Sequence, residues 1–195
     1  MKRLFDLALT IPGLFLLSPL FLLIALWVRL DSPGPVMFRQ VRVGRHGREF
    51  RIIKFRTMHV DAEKVGPQVS QGDDPRITRC GHFLRRHKLD ELPQLINVLT
   101  GEMSLVGPRP EVPKYVAAYA DAFREILEVR PGITDHAAIE FSNEGELLRG
   151  VADPEKKYLE EILPAKIELY RAYLENGGII ADISLIARTL WKIVA

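Results

Sequence analysis

The stretch Leu7-Ala8-Leu9-Thr10-Ile11-Pro12-Gly13-Leu14-Phe15-Leu16-Leu17-Ser18-Pro19-Leu20-Phe21-Leu22-Leu23-Ile24-Ala25-Leu26-Trp27-Val28 decides the architecture. Its 22 residues carry no charge, with Lys2-Arg3 before them and Arg29 after. A secretory signal would have a shorter apolar core and small residues at a cleavage site; here Trp27-Val28-Arg29-Leu30 follows. By length the segment reads as a spanning helix, since ~20 apolar residues cross a hydrocarbon core of ~30 Å. Ser18-Pro19 near its middle supports a different reading. Pro19 removes a helix hydrogen bond and clashes with the carbonyl of Phe15, and the Ser18 hydroxyl can return to the carbonyl of Leu14. Each arm is then roughly 15–18 Å long at 1.5 Å per residue. That suits a re-entrant hairpin that enters one leaflet and returns, with basic residues at both ends on the cytoplasmic side. Local physics leaves both readings open, because proline kinks are tolerated in true spans. Asp6 belongs near the headgroups or beside a base.

Outside this segment the chain reads as a folded domain. Of 195 residues, 47% are apolar and 27% charged, which excludes disorder and a polytopic membrane protein. The lone Cys80 excludes a disulfide framework and a cysteine-rich zinc site, and fits a reducing compartment. The net charge of +2 hides a polarity. Residues 39–88 hold 13 Lys/Arg against 5 Asp/Glu, and residues 90–195 hold 11 against 18. The sign changes at Asp90-Glu91, so an anionic partner is expected against the first block.

Asp31-Ser32-Pro33-Gly34-Pro35 ends the apolar segment. Residues 36–43 and 50–55 alternate at period two around Gly44-Arg45-His46-Gly47, which predicts a β-hairpin with one basic face. A loop is expected over residues 61–74. Helical periodicity follows over 79–88, 92–99, 112–129, 158–173 and 179–194. The last of these fits either a core helix or one lying on the bilayer. The expected class is α+β, mostly helical, with amphipathic helices at the membrane surface. Residues 1–30 form the membrane hairpin and 31–195 one integrated cytoplasmic domain.

Common nucleotide and hydrolase signatures are absent: GxxxxGK[ST], GxGxxG and GxSxG do not occur. What remains is Arg85-Arg86-His87-Lys88-Leu89-Asp90-Glu91-Leu92-Pro93-Gln94, followed by Gly107-Pro108-Arg109-Pro110. Adjacent carboxylates repel and need cations, which Arg85, Arg86 and Lys88 can supply. A helix starting near Pro93 directs free N–H groups to the same place, favouring a phosphate. An aspartate can attack phosphorus covalently. Mg²⁺ suits one or two carboxylates plus phosphate oxygens, so Asp90 and Glu91 are its candidate ligands. Arg109, between two prolines, is a preorganised anion-binding group.

These motifs carry a resemblance. The chain resembles the bacterial sugar transferases that are monotopic polyprenol-phosphate phosphoglycosyl transferases. The ordered series is Ser18-Pro19, Lys54-Phe55-Arg56-Thr57-Met58, Asp74-Pro75-Arg76-Ile77-Thr78, Leu89-Asp90-Glu91-Leu92-Pro93-Gln94-Leu95, Gly107-Pro108-Arg109-Pro110 and Arg130-Pro131-Gly132-Ile133-Thr134. The length is similar to the catalytic-domain-only form. The resemblance implies transfer of a sugar-1-phosphate from a UDP-sugar to undecaprenyl phosphate, with release of UMP, at the start of bacterial glycan assembly. It implies Asp90 as nucleophile, Glu91 as Mg²⁺ ligand and proton acceptor, and Arg85, Arg109, Lys54 and Thr57 at the phosphates. It also implies the re-entrant topology, with Ser18 and Pro19 at the membrane break and the domain on the cytoplasmic face of the inner membrane. No nucleic acid is expected as a partner; a homo-oligomer is allowed.

One segment departs from the family pattern. Many relatives follow Arg-Pro-Gly-Ile-Thr with Gly and a Gln-Val-Asn-Gly-Arg-like run, whereas this chain has Asp135-His136-Ala137-Ala138-Ile139-Glu140-Phe141-Ser142-Asn143-Glu144-Gly145. The sugar is therefore not legible by analogy. Two rival functions are a membrane-anchored basic binding module and a lipid-phosphate phosphatase with an aspartyl intermediate. Carboxylates at 90 and 91 would oppose binding in the first, and the second would not release UMP from UDP-sugars.

Overall fold

Helix α1 (Lys2–Asp31) runs through the whole apolar segment in the computed structural model, which describes residues 1–62, 65–66, 69–72 and 74–194, with no side chains for 193 and 194. Among the described residues it is the one helix long and apolar enough to cross a membrane. The break expected at Ser18-Pro19 is not a break in the helix. Pro19 has no N–H to give the Phe15 carbonyl, and the Ser18 hydroxyl donates to that oxygen at 2.7 Å, one residue beyond the expected Leu14. The proline's missing donor is replaced locally and the helix continues.

Both ends of α1 dock on the same domain. Near the start, Asp6 is buried and accepts from the Ser104 hydroxyl at 3.0 Å and the Leu105 N–H at 3.1 Å. Lys2 pairs with Asp182 and donates to the Tyr173 hydroxyl. Near the far end, Ile24 and Val28 pack with Phe55, Cys80 and Leu84, and Arg56 donates to the carbonyls of Val28 and Ser32. The middle is left bare: Phe15 is 84% and Leu16 79% exposed.

Strands β1 (Met37–Val43) and β2 (Glu49–Phe55) form the expected antiparallel hairpin, pairing Met37 with Phe55 and Val43 with Glu49. Its bases do not share one face. Phe38 lies opposite Lys54 and Arg42 opposite Phe50, so Arg42 and Lys54 point inward with Phe50 and Ile52. Arg39 and Arg51 lie on the other, exposed side. Arg39 and Arg42 are three apart, and a period of two separates them.

The loop read over 61–74 falls partly outside the described residues. After it come α2 (Arg79–Arg86), a tight turn at Leu89–Glu91, and α3 (Gln94–Thr100), which ends at Gly101. The Thr78 side chain caps α2 by accepting from Gly81 N–H at 3.0 Å. Two three-residue strands, β3 (Ser104–Val106) and β4 (Gly132–Thr134), pair in parallel. A side chain at Gly132 would stand 2.1 Å from the Gly107 nitrogen, so only glycine permits this approach.

The single helix expected over 112–129 is two, α4 (Pro113–Ala118) and α5 (Ala120–Ile126), broken at Tyr119. The Tyr119 hydroxyl reaches the Leu159 carbonyl at 2.7 Å, and that tertiary anchor overrides the helical periodicity. Next come α6 (His136–Glu140) and α7 (Glu144–Leu147), then α8 (Pro154–Lys157), which continues through a π turn at Tyr158–Ile162 into α9 (Leu163–Asn176). The wide turn falls just before Pro164, which cannot donate to the preceding turn. Tyr115, Phe123, Leu148, Leu163 and Tyr170 from these elements make the main core. Helix α10 (Ile179–Val194) has two faces. Leu185 and Ile186 pack on Val106 and Tyr173, while Ile180, Ile183, Leu190 and Trp191 lie exposed in one stripe.

Candidate active site

The Asp90-Glu91 pair sits on the turn between α2 and α3, and its two carboxylates have opposite surroundings. Lys88 begins the turn in the left-handed region, at φ 55, a costly conformation for a side-chain-bearing residue and one that recurs at functional sites. The turn that follows places Asp90 four residues ahead of the start of α3.

Glu91 is locked. Lys54 Nζ donates to its Oε1 at 2.8 Å, and Arg109 grips both oxygens, Nη1 on Oε2 at 3.1 Å and Nη2 on Oε1. Burial alone would raise this carboxyl, but Arg109 and Lys54 outweigh it and hold it well below the usual carboxylate range. Glu91 in turn drives the Arg109 guanidinium further up.

Asp90 is free. It is buried, at 7% exposure, and makes no hydrogen bond to another described side chain. Burial and then the charge of Glu91 push its carboxyl above the ordinary value, while Lys54, Arg85 and Lys88 pull it back. Burial also lowers Lys54, opposed chiefly by Glu91.

The remaining residues read from the sequence arrive at the same place. Arg85 Nε donates to Thr57 Oγ1 at 2.8 Å. Gly81 makes this possible, because a side chain there would meet the Thr57 carbonyl oxygen at 2.1 Å. Lys54, Thr57, Arg85, Asp90, Glu91 and Arg109 thus converge from β2, the segment after it, α2, the dyad turn and the loop after β3. Ser18 and Pro19 lie elsewhere, in the exposed middle of α1.

Sequence reasoning did not find the layer behind Arg109. Arg42 donates to Gln40 Oε1 and to the Pro110 carbonyl at 3.1 Å, and faces Glu111 at 3.6 Å. Glu111 accepts from the Tyr158 hydroxyl at 2.7 Å. Asp135 is 1% exposed, caps α6, and lies close enough to Arg109 for the two charges to interact. The segment departing from the family pattern is thus packed beside the dyad: Lys88 Nζ donates to the Ser142 carbonyl at 3.3 Å. Gln94, four residues after Asp90, is fully buried with neither amide atom paired in the described structure. No sequence signal marks Arg42 or Asp135, because their roles depend on contacts made across the fold.

The family model described as bacterial sugar transferase matches residues 1–195. The chain belongs to that family. It is 40% identical to a UDP-glucose:undecaprenyl-phosphate glucose-1-phosphate transferase of Escherichia coli (strain K12), over 98% of this chain and 40% of that protein. It is 38% identical to a UDP-N-acetylgalactosamine-undecaprenyl-phosphate N-acetylgalactosaminephosphotransferase of Aeromonas hydrophila, over 99% of this chain and 43% of that protein. An exopolysaccharide production protein PSS of Rhizobium leguminosarum bv. phaseoli is 36% identical, over 97% of this chain and 93% of that protein. The chain spans about two fifths of the length of the first two relatives. The residues matched by the family model span the dyad and its cations.

A divalent ion fits the donor set in one way. Among the described residues no three His, Cys, Asp or Glu side chains cluster as a metal cage. Asp90 has no hydrogen-bond partner among the described residues, and the one hydrogen bond on Glu91 Oε2 among them comes from Arg109 Nη1. Two carboxylates and phosphate oxygens suit Mg²⁺, which seldom needs an all-protein cage.

Proposed function

We propose that this protein transfers a sugar-1-phosphate from a UDP-sugar to undecaprenyl phosphate, releasing UMP. The observation that carries the reading is the asymmetry of the dyad: a free, buried Asp90 beside a Glu91 immobilised by two cations. An Asp90 oxygen attacks the phosphorus that bears the sugar. The new Asp90–phosphorus bond forms as the bond to the bridging oxygen breaks, and UMP leaves with that electron pair. An oxygen of the lipid phosphate then attacks the same phosphorus, and Asp90 is released as the carboxylate.

Each cation has a task in this scheme. Arg85, braced on Thr57, and Arg109, braced on Glu91, hold phosphate oxygens with little freedom left to lose. Lys54 offsets charge gathering at the phosphorus. Mg²⁺, held by Asp90 and Glu91 Oε2, would supply further neutralisation of the diphosphate. Glu91, held so low, is a weak base where it stands, and the geometry favours it as the anchor of Arg109 and Lys54 over proton removal.

The same reading places the protein on the cytoplasmic face of the bacterial inner membrane through a re-entrant α1. A helix crossing the bilayer would put its two ends on opposite faces, whereas Lys2–Asp6 and Ile24–Val28 of the unbroken α1 rest on one domain. The exposed apolar stripe of α10 suits the lipid surface. The test is a panel of UDP-sugars given to the full chain in detergent, with UMP measured before any lipid phosphate is added. The expected result is a burst of at most one equivalent, with the sugar phosphate on the Asp90 peptide. UMP appearing only with both substrates, and no adduct, would remove the covalent step.

A further inference from the structure

A cavity of about 350 Å³ lies between the first turn of α1 and the start of α10, within the ~300–1,000 Å³ range of small-molecule sites. It is separate from the dyad. The two stand at opposite ends of α3: Asp90 precedes its first turn, whereas Arg3 donates to the Val98 and Leu99 carbonyls in its last.

Two arginines lining this cavity are held alike. Arg130 Nε donates to the Gly101 carbonyl at 2.8 Å, and Arg45 Nε to the Glu128 carbonyl at 2.8 Å. Neither forms an ion pair with a carboxylate among the described residues, and neither has a described partner for its Nη groups. Each guanidinium is thus oriented by a neutral oxygen and keeps its charge and its two-pronged edge. Arg3 adds positive charge to the same wall, where Lys2 is already paired with Asp182. The carboxylates there are Asp6, already bonded to Ser104 and Leu105, and Glu128, which is 69% exposed and turned toward His46. An anion with several acceptor oxygens is what such paired forks recognise.

The position narrows the chemistry. The cavity touches the first residues of α1 and Gly178, two residues ahead of the exposed stripe that begins at Ile180. It lies beside the docked first turn of α1 and just ahead of the α10 stripe, at the depth of headgroups if the apolar faces of both helices contact lipid. We propose that this cavity is a second anion site, binding a phosphate ester through Arg45 and Arg130. The site gives Arg130, in the Arg130-Pro131-Gly132-Ile133-Thr134 motif, a ligand-binding task, and it stands whether or not Asp90 is a nucleophile. Such a phosphate comes either from an anionic phospholipid or from a soluble phosphate ester.

Native mass spectrometry of the full chain in mild detergent, with phosphatidylglycerol or phosphatidylcholine added, tests the lipid source. Thermal unfolding with inorganic phosphate or glycerol 3-phosphate tests the soluble one. The expected result is phosphatidylglycerol retained about tenfold more than phosphatidylcholine, reduced about tenfold by Arg45→Gln and abolished by R45Q/R130Q. Both arginines hold a backbone carbonyl, but the Arg45 bond to Glu128 is exposed and the Arg130 bond to Gly101 half-buried. Arg45→Gln is therefore the variant less tied to folding, and its melting temperature in the absence of ligand serves as the control. Stabilisation by soluble phosphate that Arg45→Gln removes, without lipid retention, supports the site with a soluble ligand. Equal lipid retention and equal phosphate response in wild type and both variants would overturn it, leaving the arginines as caps for backbone carbonyls.

Discussion

Arg109 clasps both carboxylate oxygens of Glu91, and Lys54 closes on the same group from the hairpin. This grip fixes where the guanidinium stands before any phosphate arrives. Arg109→Lys keeps the charge but loses the fork. A charge-assisted hydrogen bond is worth ~1.5–3 kcal/mol, so UMP release should fall roughly 10–100-fold, as measured by initial rates with each UDP-sugar that is turned over.

Asp90→Asn separates chemistry from stability. An amide is a very poor nucleophile, so the UMP burst should vanish. The variant should nevertheless melt higher at neutral pH. The folded pKa of Asp90 is raised by burial and by Glu91, so its ionised form costs stability at every pH above that raised value. The cost fades as pH falls through it and is gone below the unfolded carboxyl's pKa. Melting curves from pH 8 down to pH 4 should show the gain of Asp90→Asn shrinking. A loss of stability at pH 8 would contradict this account of the dyad.

Glu91→Gln should do the opposite. The folded pKa of Glu91 is depressed, so its contribution is present above the unfolded carboxyl's pKa and is lost as pH falls through the folded one. The amide leaves Lys54 and Arg109 without a counter-charge. Removing one partner of a buried pair costs ~3–5 kcal/mol, and the 15% exposure of Glu91 points to the lower end. For a chain of this length that is a Tm fall of roughly 10 °C, checked by thermal unfolding in detergent.

Thr57→Val removes the acceptor of Arg85 Nε while keeping the shape of the side chain. Arg85 keeps its charge but loses its brace, so donor binding should weaken more than the maximal rate. A rise in KM of about fivefold with kcat little changed is the expected kinetic result; a fall in kcat alone would mean Thr57 acts on the reacting atoms.

The topology of α1 can be read by labelling. Leu4 and Pro35 are exposed at opposite ends of the segment. Leu4→Cys and Pro35→Cys should be modified from the same side of sealed vesicles. Burial pushes the resident Cys80 thiol up to about 11, which keeps it unreactive. Labelling from opposite sides would establish a span.

Legibility followed the range of the interactions. The apolar segment, the hairpin and the dyad turn announce themselves through local patterns of charge, period and proline, and their residues were found in place. Tyr119, Asp135 and Arg42 did not. The first interrupts a helix because its hydroxyl is needed 40 residues away. The other two acquire meaning only when Arg109 is brought beside them. Strands β3 and β4, three residues each, are too short for any period to show, though Gly132 marks the contact that joins them. The basic face expected of the hairpin failed on simple counting, since residues three apart in a strand point opposite ways.

Asp6 has a bearing on how this protein can be handled. Its carboxylate supplies the Ser104 hydroxyl and the Leu105 N–H with their acceptor, and Asp31, at the other end of the same helix, accepts from the Cys80 N–H at 3.0 Å. Removing residues 1–31 to obtain a soluble fragment would strand these donors and uncover Phe55, Cys80 and Leu84 to water. Such a truncation should aggregate, and detergent alone should not rescue it. Solubility would have to come from replacing Phe15, Leu16, Leu22 and Leu23 on the bare middle of the helix, with both docked ends left intact.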